Sequence, residues 1–250
     1  MIARPAKLSA ALLAALLGAC ILLSGCELIK AAEEPTDLYQ VSPKSTFDPD
    51  LPTVQWQLAV DVPAAAANLN TGRIAISPTP TSSDYYAKTA WTDRAPAMVQ
   101  TRIVDSFENS HKIVAVSRES IGMSADYTLQ PDLRNFEAMY FYGGAPIAHV
   151  RIVAKLVRMP ERQIIATATI ERCVRAREDK VPKVVEAFDQ ALGSVMKSLV
   201  AWTLKAPPRG VPSPNTPYDI NKYRNPQNEY RDIKDCPAKG DTSKVPVTDE

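Results

Sequence analysis

Histidine is scarce in this chain. His111 and His149 are the only two, they fall in different segments, and neither has a neighbouring Cys, Asp or Glu ligand pattern. No zinc site is indicated. Glycine is scarce too, at 9 residues, which leaves little material for glycine-rich phosphate loops; neither a P-loop nor a G-x-G-x-x-G run is present. A G-x-S-x-G elbow is also missing, which removes the main support for a lipase-type hydrolase. Carboxylates such as Asp126, Asp132 and Glu137 are scattered and read as solvated surface groups. No catalytic residue is assigned, no metal or cofactor is expected, and the reading is that the chain is not an enzyme.

Charge of one sign is missing as well. There are 29 Lys and Arg against 28 Asp and Glu. No basic excess points to nucleic acid, and no acidic block points to a solvated tail. Long apolar runs are limited to one, Leu8 to Leu23, preceded by Arg4 and Lys7. At residues 8–23 it falls short of the roughly 20 that a helix needs to span a bilayer. A basic start, a short apolar run and a small-residue exit read as an export signal. An uncleaved anchor is the competing reading.

The exit is Leu23-Ser24-Gly25-Cys26, which resembles the lipobox of bacterial lipoproteins. Cleavage would fall between Gly25 and Cys26, and Cys26 would carry covalent lipid. Leu17-Gly18-Ala19-Cys20 fits more loosely and would leave Ile21, Leu22 and Leu23 exposed on the mature chain. Each buried methylene contributes about 0.8 kcal/mol, so one acyl chain anchors weakly and two or more anchor stably. Glu27 follows the cysteine. In enteric bacteria an Asp at that place resembles an inner-membrane retention signal, so Glu27 leans towards the periplasmic face of the outer membrane.

Cysteine is sparse enough for each copy to be considered. Cys20 would leave with the signal and Cys26 would be lipidated, which leaves Cys173 and Cys236. In an oxidising compartment an even pair reads as a disulfide; two free thiols are the alternative.

The chain divides into a signal at 1–25, a polar tether at 26–37, a domain at 38–205 and a Pro-rich flexible tail at 206–250. Within the domain, Leu38 to Val41 is a brief strand and 42–53 a proline-broken loop. Gln55 to Val62 alternates, with Trp56, Leu58, Val60 and Val62 on one face. Ala64 to Leu69 suggests a helical turn, Arg73 to Ser77 a short strand and Tyr85 to Trp91 an extended segment. Val99, Ile103 and Phe107 then recur at helical spacing behind Pro96, which predicts a helix over 95–109. Lys112 to Ser117 is a strand. Tyr127 to Phe141 is extended, and Pro131 suggests an edge or a bulge.

His149 to Arg158 and Gln163 to Cys173 form a β-hairpin around Met159–Arg162. One face holds Val150, Ile152, Ala154 and Leu156, joined by Ile164, Ala166, Ala168 and Ile170. The opposite face of the second strand holds Thr167, Thr169, Glu171 and Cys173. Val181, Val185, Phe188, Leu192, Val195, Leu199 and Trp202 then define a terminal helix stopped by Pro207 and Pro208. Two aromatic groups stand out: Tyr85, Tyr86 and Trp91, and then Tyr140, Phe141 and Tyr142. Both can be core packing. Three consecutive aromatics cannot all face one side of a strand, so Tyr140, Phe141 and Tyr142 are the better partner-binding candidates.

The segment Tyr86-Ala87-Lys88-Thr89-Ala90-Trp91-Thr92-Asp93-Arg94-Ala95-Pro96, the helix from Met98 to Phe107, the long hairpin and the helix ending Leu199-Val200-Ala201-Trp202 resemble, with the lipobox, the ABC-type transport auxiliary lipoprotein family over about residues 38–205. The resemblance implies a three-layer α/β domain with a mixed β-sheet flanked by helices. It also implies an adaptor beside Mce-type (mammalian cell entry) transporters. In these an ABC ATPase and permease and a periplasmic substrate-binding Mce protein move lipid between membranes. Related lipoproteins can form rings, so a homo-oligomer is within what it implies. A lipid-binding carrier and a structural envelope lipoprotein unconnected to transport are the alternative readings.

Overall fold

The computed structural model describes residues 36–119, 125–206 and 229–237. The signal, the lipobox and Cys26 lie outside them. The elements run β1 (Asp37–Tyr39), β2 (Val54–Val60), β3 (Ala64–Ala65), β4 (Arg73–Ser77), β5 (Asp84–Trp91), α1 (Ala95–Ser110), β6 (Ile113–Arg118), β7 (Tyr127–Met139), β8 (Ile147–Arg158), β9 (Gln163–Arg175), α2 (Val181–Lys205) and β10 (Glu229–Lys234). They form one mixed sheet with two helices, the α/β class that the resemblance implies.

β7 is the centre of the sheet. On one side it pairs antiparallel with β8; on the other it pairs parallel with β2 at Tyr127–Leu129, with β3 at Asp132–Leu133 and with β4 at Glu137–Met139. Pro131 therefore does not mark an edge strand. It sits in the gap between the stretches held by β2 and β3, where a residue without a backbone N–H is least disruptive. From β7 the sheet continues through β8 and β9 to β10 at one end, and through β4 and β5 to β1 at the other. β6 flanks β2.

Period-two alternation, reset in β7 by a bulge between Leu133 and Asn135, places Leu129, Leu133 and Phe136 of β7, Val150, Ile152 and Leu156 of β8, and Ile170 of β9 in the core, each at most 1% exposed. The helices cover this core. Phe188 of α2 packs against Phe136 and Trp91, with ring centroids 4.9 and 5.4 Å away. The two helices also meet each other, Ser106 Oγ lying 3.2 Å from Met196 Sδ. Pro96 occupies the first turn of α1, where its missing donor costs nothing. The proline-broken loop crosses the helices, with Lys44 N donating to Ser106 Oγ at 2.9 Å and Asn109 Nδ2 donating to Lys44 O at 3.1 Å.

Three local expectations differ from the structure. Val62 lies beyond the end of β2 and is 58% exposed, not on the apolar face. Ile164 is 52% exposed because the β8–β9 register shifts between Leu156 and Val157; one extra residue moves everything before it to the other face. The Ala64–Leu69 segment opens as a two-residue strand and only then turns, with Asn70 N donating to Ala66 O at 2.9 Å. A fourth difference concerns the segment read as a flexible tail. Within 206–250, Glu229–Lys234 forms β10, laid parallel along β9.

Candidate partner-docking site

The register of the hairpin brings polar residues into one cross-strand row. Glu137 of β7 is opposite His149 of β8, which is opposite Cys173 of β9. Glu171 precedes Cys173 by two residues on the same face. His149 Nε2 lies 2.7 Å from Glu171 Oε1, and its Nδ1 lies 3.3 Å from Glu137 Oε1. Glu137 is itself oriented by Asn135 Nδ2 at 2.8 Å and by Phe136 N at 3.0 Å. Burial works against a charged imidazole, but the two carboxylates outweigh it and push His149 up to about 9. In return the hydrogen bond from His149 holds the Glu171 carboxyl below its ordinary value. Nε2 is hydrogen-bonded to Glu171, while Nδ1 lies within ion-pair distance of Glu137 without a hydrogen-bond partner of its own, so the protonated ring sits as a cation between the carboxylates of β7 and β9.

Cys173 and Cys236 are joined, with Sγ–Sγ 2.09 Å and a sequence separation of 63. Around this bond lies a small apolar cluster of its own: Met139, Ile147 and Cys173 are buried, and Phe141, Tyr142 and Cys236 pack on it, half-buried. The three aromatic candidates thus separate in role. Tyr140 is drawn inward, its hydroxyl 2.7 Å from that of Tyr86 and donating to Asp179 Oδ1 at 2.7 Å. Burial is the main reason its phenol is pushed up to about 12. Phe141 and Tyr142 lie against each other, with centroids 4.5 Å apart, over the disulfide. All three are half-buried.

The turn that follows is held rigid. Gly143 and Gly144 have φ of 68° and 69°, a conformation that glycine takes without a side-chain penalty. Arg175 Nη1 donates to Gly143 O at 2.6 Å and to Ala145 O at 2.8 Å. Two aromatic half-faces beside an exposed, braced turn make a surface that a partner can meet without reordering it. His111, the other histidine, is remote from this site. It caps the C-terminus of α1 at φ 52° and lines a cleft of about 470 Å³ with Glu108 and Ile113–Val116.

Fold and site together define a disulfide-braced α/β domain built on a mixed sheet. The chain belongs to the ABC-type transport auxiliary lipoprotein component family, which its residues 37–200 match. The crystal structure of protein XCC0632 from Xanthomonas campestris is similar at 34% identity and a TM-score of 0.65, covering 68% of this chain and 95% of that one. A second crystal structure, of an uncharacterized protein, shares the fold at 12% identity and a TM-score of 0.54, covering 67% of this chain and 97% of that one. Among curated proteins, the uncharacterized protein bll6063 of Bradyrhizobium diazoefficiens is 28% identical over 187 residues, or 74% of this chain. The chain spans about half, 50%, of that relative's length.

Proposed function

We propose that this chain is a non-catalytic, lipid-anchored component of an ABC/Mce-type transport system, one that docks the periplasmic Mce protein for intermembrane transport of lipid or solvent. The observation that carries the reading is the family match across the domain, residues 37–200. Cys26 as the acylated first residue would hold the domain to the periplasmic face of the outer membrane, while the permease and ATPase sit in the other membrane.

The chemistry of the site supports a binding role. His149 is locked between carboxylates, and the two cysteines are spent on each other, so neither the imidazole nor a thiolate is available as base or nucleophile. We assign docking to the turn carrying Tyr140, Phe141 and Tyr142. Aromatics at a rigid surface make large contacts at small entropic cost. The test is co-purification with a periplasmic Mce-type protein from the same organism. Retention of the Mce protein by the wild-type chain, weakened by Tyr142→Ala, supports the reading. Stoichiometric phospholipid extracted with the chain and no Mce binding would favour the carrier instead.

A further inference from the structure

The polar row on the face of the sheet turned away from α2 holds more metal-binding chemistry than a structural bridge needs. Cys173 of β9 stands opposite His149 of β8, which stands opposite Glu137 of β7. Cys236 follows β10, which lies parallel along β9. The two sulfurs and a ring nitrogen of His149 all lie within 4.8 Å of one another. Glu171 and Glu137 flank the same ring, 2.7 and 3.3 Å from its two nitrogens, and all three side chains are only 12–13% exposed. Met139 and Ile147 form an apolar wall beside them. With the disulfide closed, Nδ1 is buried with no hydrogen bond of its own, a polar atom for which the protein supplies no partner. Two sulfurs, an imidazole and a carboxylate in a half-dry hollow are the donor set of a four-coordinate zinc site.

The fold keeps these donors together when the sulfurs are not bonded to each other, because β10 has a second attachment on the opposite face. Asp232 and Arg172 are buried there at 7% and 6% exposure. Arg172 Nη2 donates to Asp232 Oδ2 at 2.6 Å, and Ser198 Oγ of α2 donates to the same oxygen at 2.8 Å. Arg172 Nη1 donates to the backbone carbonyl of Asp232 at 2.9 Å. Opening the disulfide therefore leaves β10 in register, with Cys236 four residues past Asp232. Tetrahedral ligands around zinc stand about 3.5–3.8 Å apart, so the donors need close by only about 1 Å through side-chain rotation. Whichever ring nitrogen takes the ion, a carboxylate already sits at the other to accept its N–H. That arrangement orients and strengthens a histidine ligand.

We propose that Cys173, Cys236 and His149, with Glu137 or Glu171 as the fourth ligand, form a zinc site when the two cysteines are thiols. A dithiol opens the disulfide by exchange and itself closes to a disulfide, passing two electrons and two protons to the two Sγ atoms. Zinc then binds as both thiols and the imidazolium release their protons to water. The ion takes over from the disulfide the staple between β9 and the end of β10. Cysteines are synthesised as thiols, so each chain passes through the zinc-competent state before the disulfide forms. The site is independent of the Mce reading.

The experiment uses the full-length chain carrying Cys20→Ser and Cys26→Ser, so that Cys173 and Cys236 are its only cysteines. It is reduced with dithiothreitol, freed of reductant without air, and titrated with cobalt(II). The thiolate-to-cobalt charge-transfer band and the intense visible bands of tetrahedral cobalt report ligation. One ion per chain, displaced by zinc, is expected for the reduced chain and no such bands for the oxidised one. His149→Gln is expected to weaken binding at least about tenfold. Independently of any variant, nitrogen-15 NMR of the reduced chain is expected to show a His149 ring nitrogen shifting on zinc addition while the His111 ring stays unchanged. Absence of the charge-transfer band, equal binding by His149→Gln, or an unshifted His149 ring would overturn the proposal.

Discussion

His149 and Glu171 face each other across β8 and β9 with Nε2 and Oε1 2.7 Å apart, and the charge state of this pair ties stability to pH. The folded imidazole is raised from 6.5 to about 9. A raised value means stabilisation that is fully present below pH 6.5 and is lost as pH rises through about 9. Each tenfold gain in proton affinity on folding is worth about 1.4 kcal/mol, so the amplitude is on the order of 3 kcal/mol. Urea denaturation between pH 6 and 10 is expected to show this decline. His149→Gln is expected to be less stable at pH 6 and to have a flatter profile across the same window.

The ring of Asp232 has the opposite sign. Burial raises its carboxyl, but the hydrogen bonds from Arg172 and Ser198 and the guanidinium charge overcome this and hold it at about 2. Its contribution is present above about pH 4 and is lost as pH falls towards 2. Removing one partner of a buried pair costs about 3–5 kcal/mol. Asp232→Asn is therefore expected to destabilise by that order at pH 7, with the difference from wild type shrinking as pH falls towards 2, measured by denaturant titration of both proteins at the two pH values.

Breaking the second attachment of β10 has a separate signature. Cys173–Cys236 closes a loop spanning 63 residues, for which chain entropy predicts about 4 kcal/mol. Cys236→Ser is expected to lower the denaturation midpoint accordingly. It is also expected to speed amide exchange first in Glu229–Lys234, with the strands β7 and β8 protected as before.

The core prediction concerns the Trp91, Phe136 and Phe188 contact, where the centroids lie 4.9–5.4 Å apart. Phe188 is fully buried. Phe188→Ala is expected to cost about 3–5 kcal/mol, read from chemical denaturation, because sheet and helix cannot both relax into the space.

How far the sequence carries can be seen at these same residues. The hairpin and both helices are legible because their apolar spacing is local: Val150, Ile152, Ala154 and Leu156 alternate, and Phe188, Leu192 and Val195 follow helical steps. Alternation alone misplaces Ile164, because a bulge changes the register without changing the composition. β10 is invisible for a deeper reason. Its pairing is parallel, distant in sequence and held by Arg172 and Asp232, 60 residues apart; a string of charged residues such as Arg231-Asp232-Ile233-Lys234 reads as a solvated tail. The Glu137, His149 and Glu171 row is half visible. The alternation that places Glu171 and Cys173 on one face of β9, extended across to β8, would put His149 beside them. No short motif marks the row, since its members come from three strands.

The anchor prediction falls outside the described residues. Mass spectrometry of the membrane-extracted chain is expected to find its first residue at Cys26 with acyl chains attached, and Cys26→Ser is expected to abolish them. A mature chain beginning at Cys20 would place the cleavage site elsewhere.

The most direct test of the proposed docking role is a binding measurement between the domain from residue 37 onward and an Mce-type protein of the same organism, using immobilised Mce protein and a salt series. Saturable binding, weakened about tenfold by Tyr142→Ala while the denaturation midpoint of the variant stays near wild type, is the predicted result. No binding at any salt concentration by a domain shown to be folded would contradict the adaptor role.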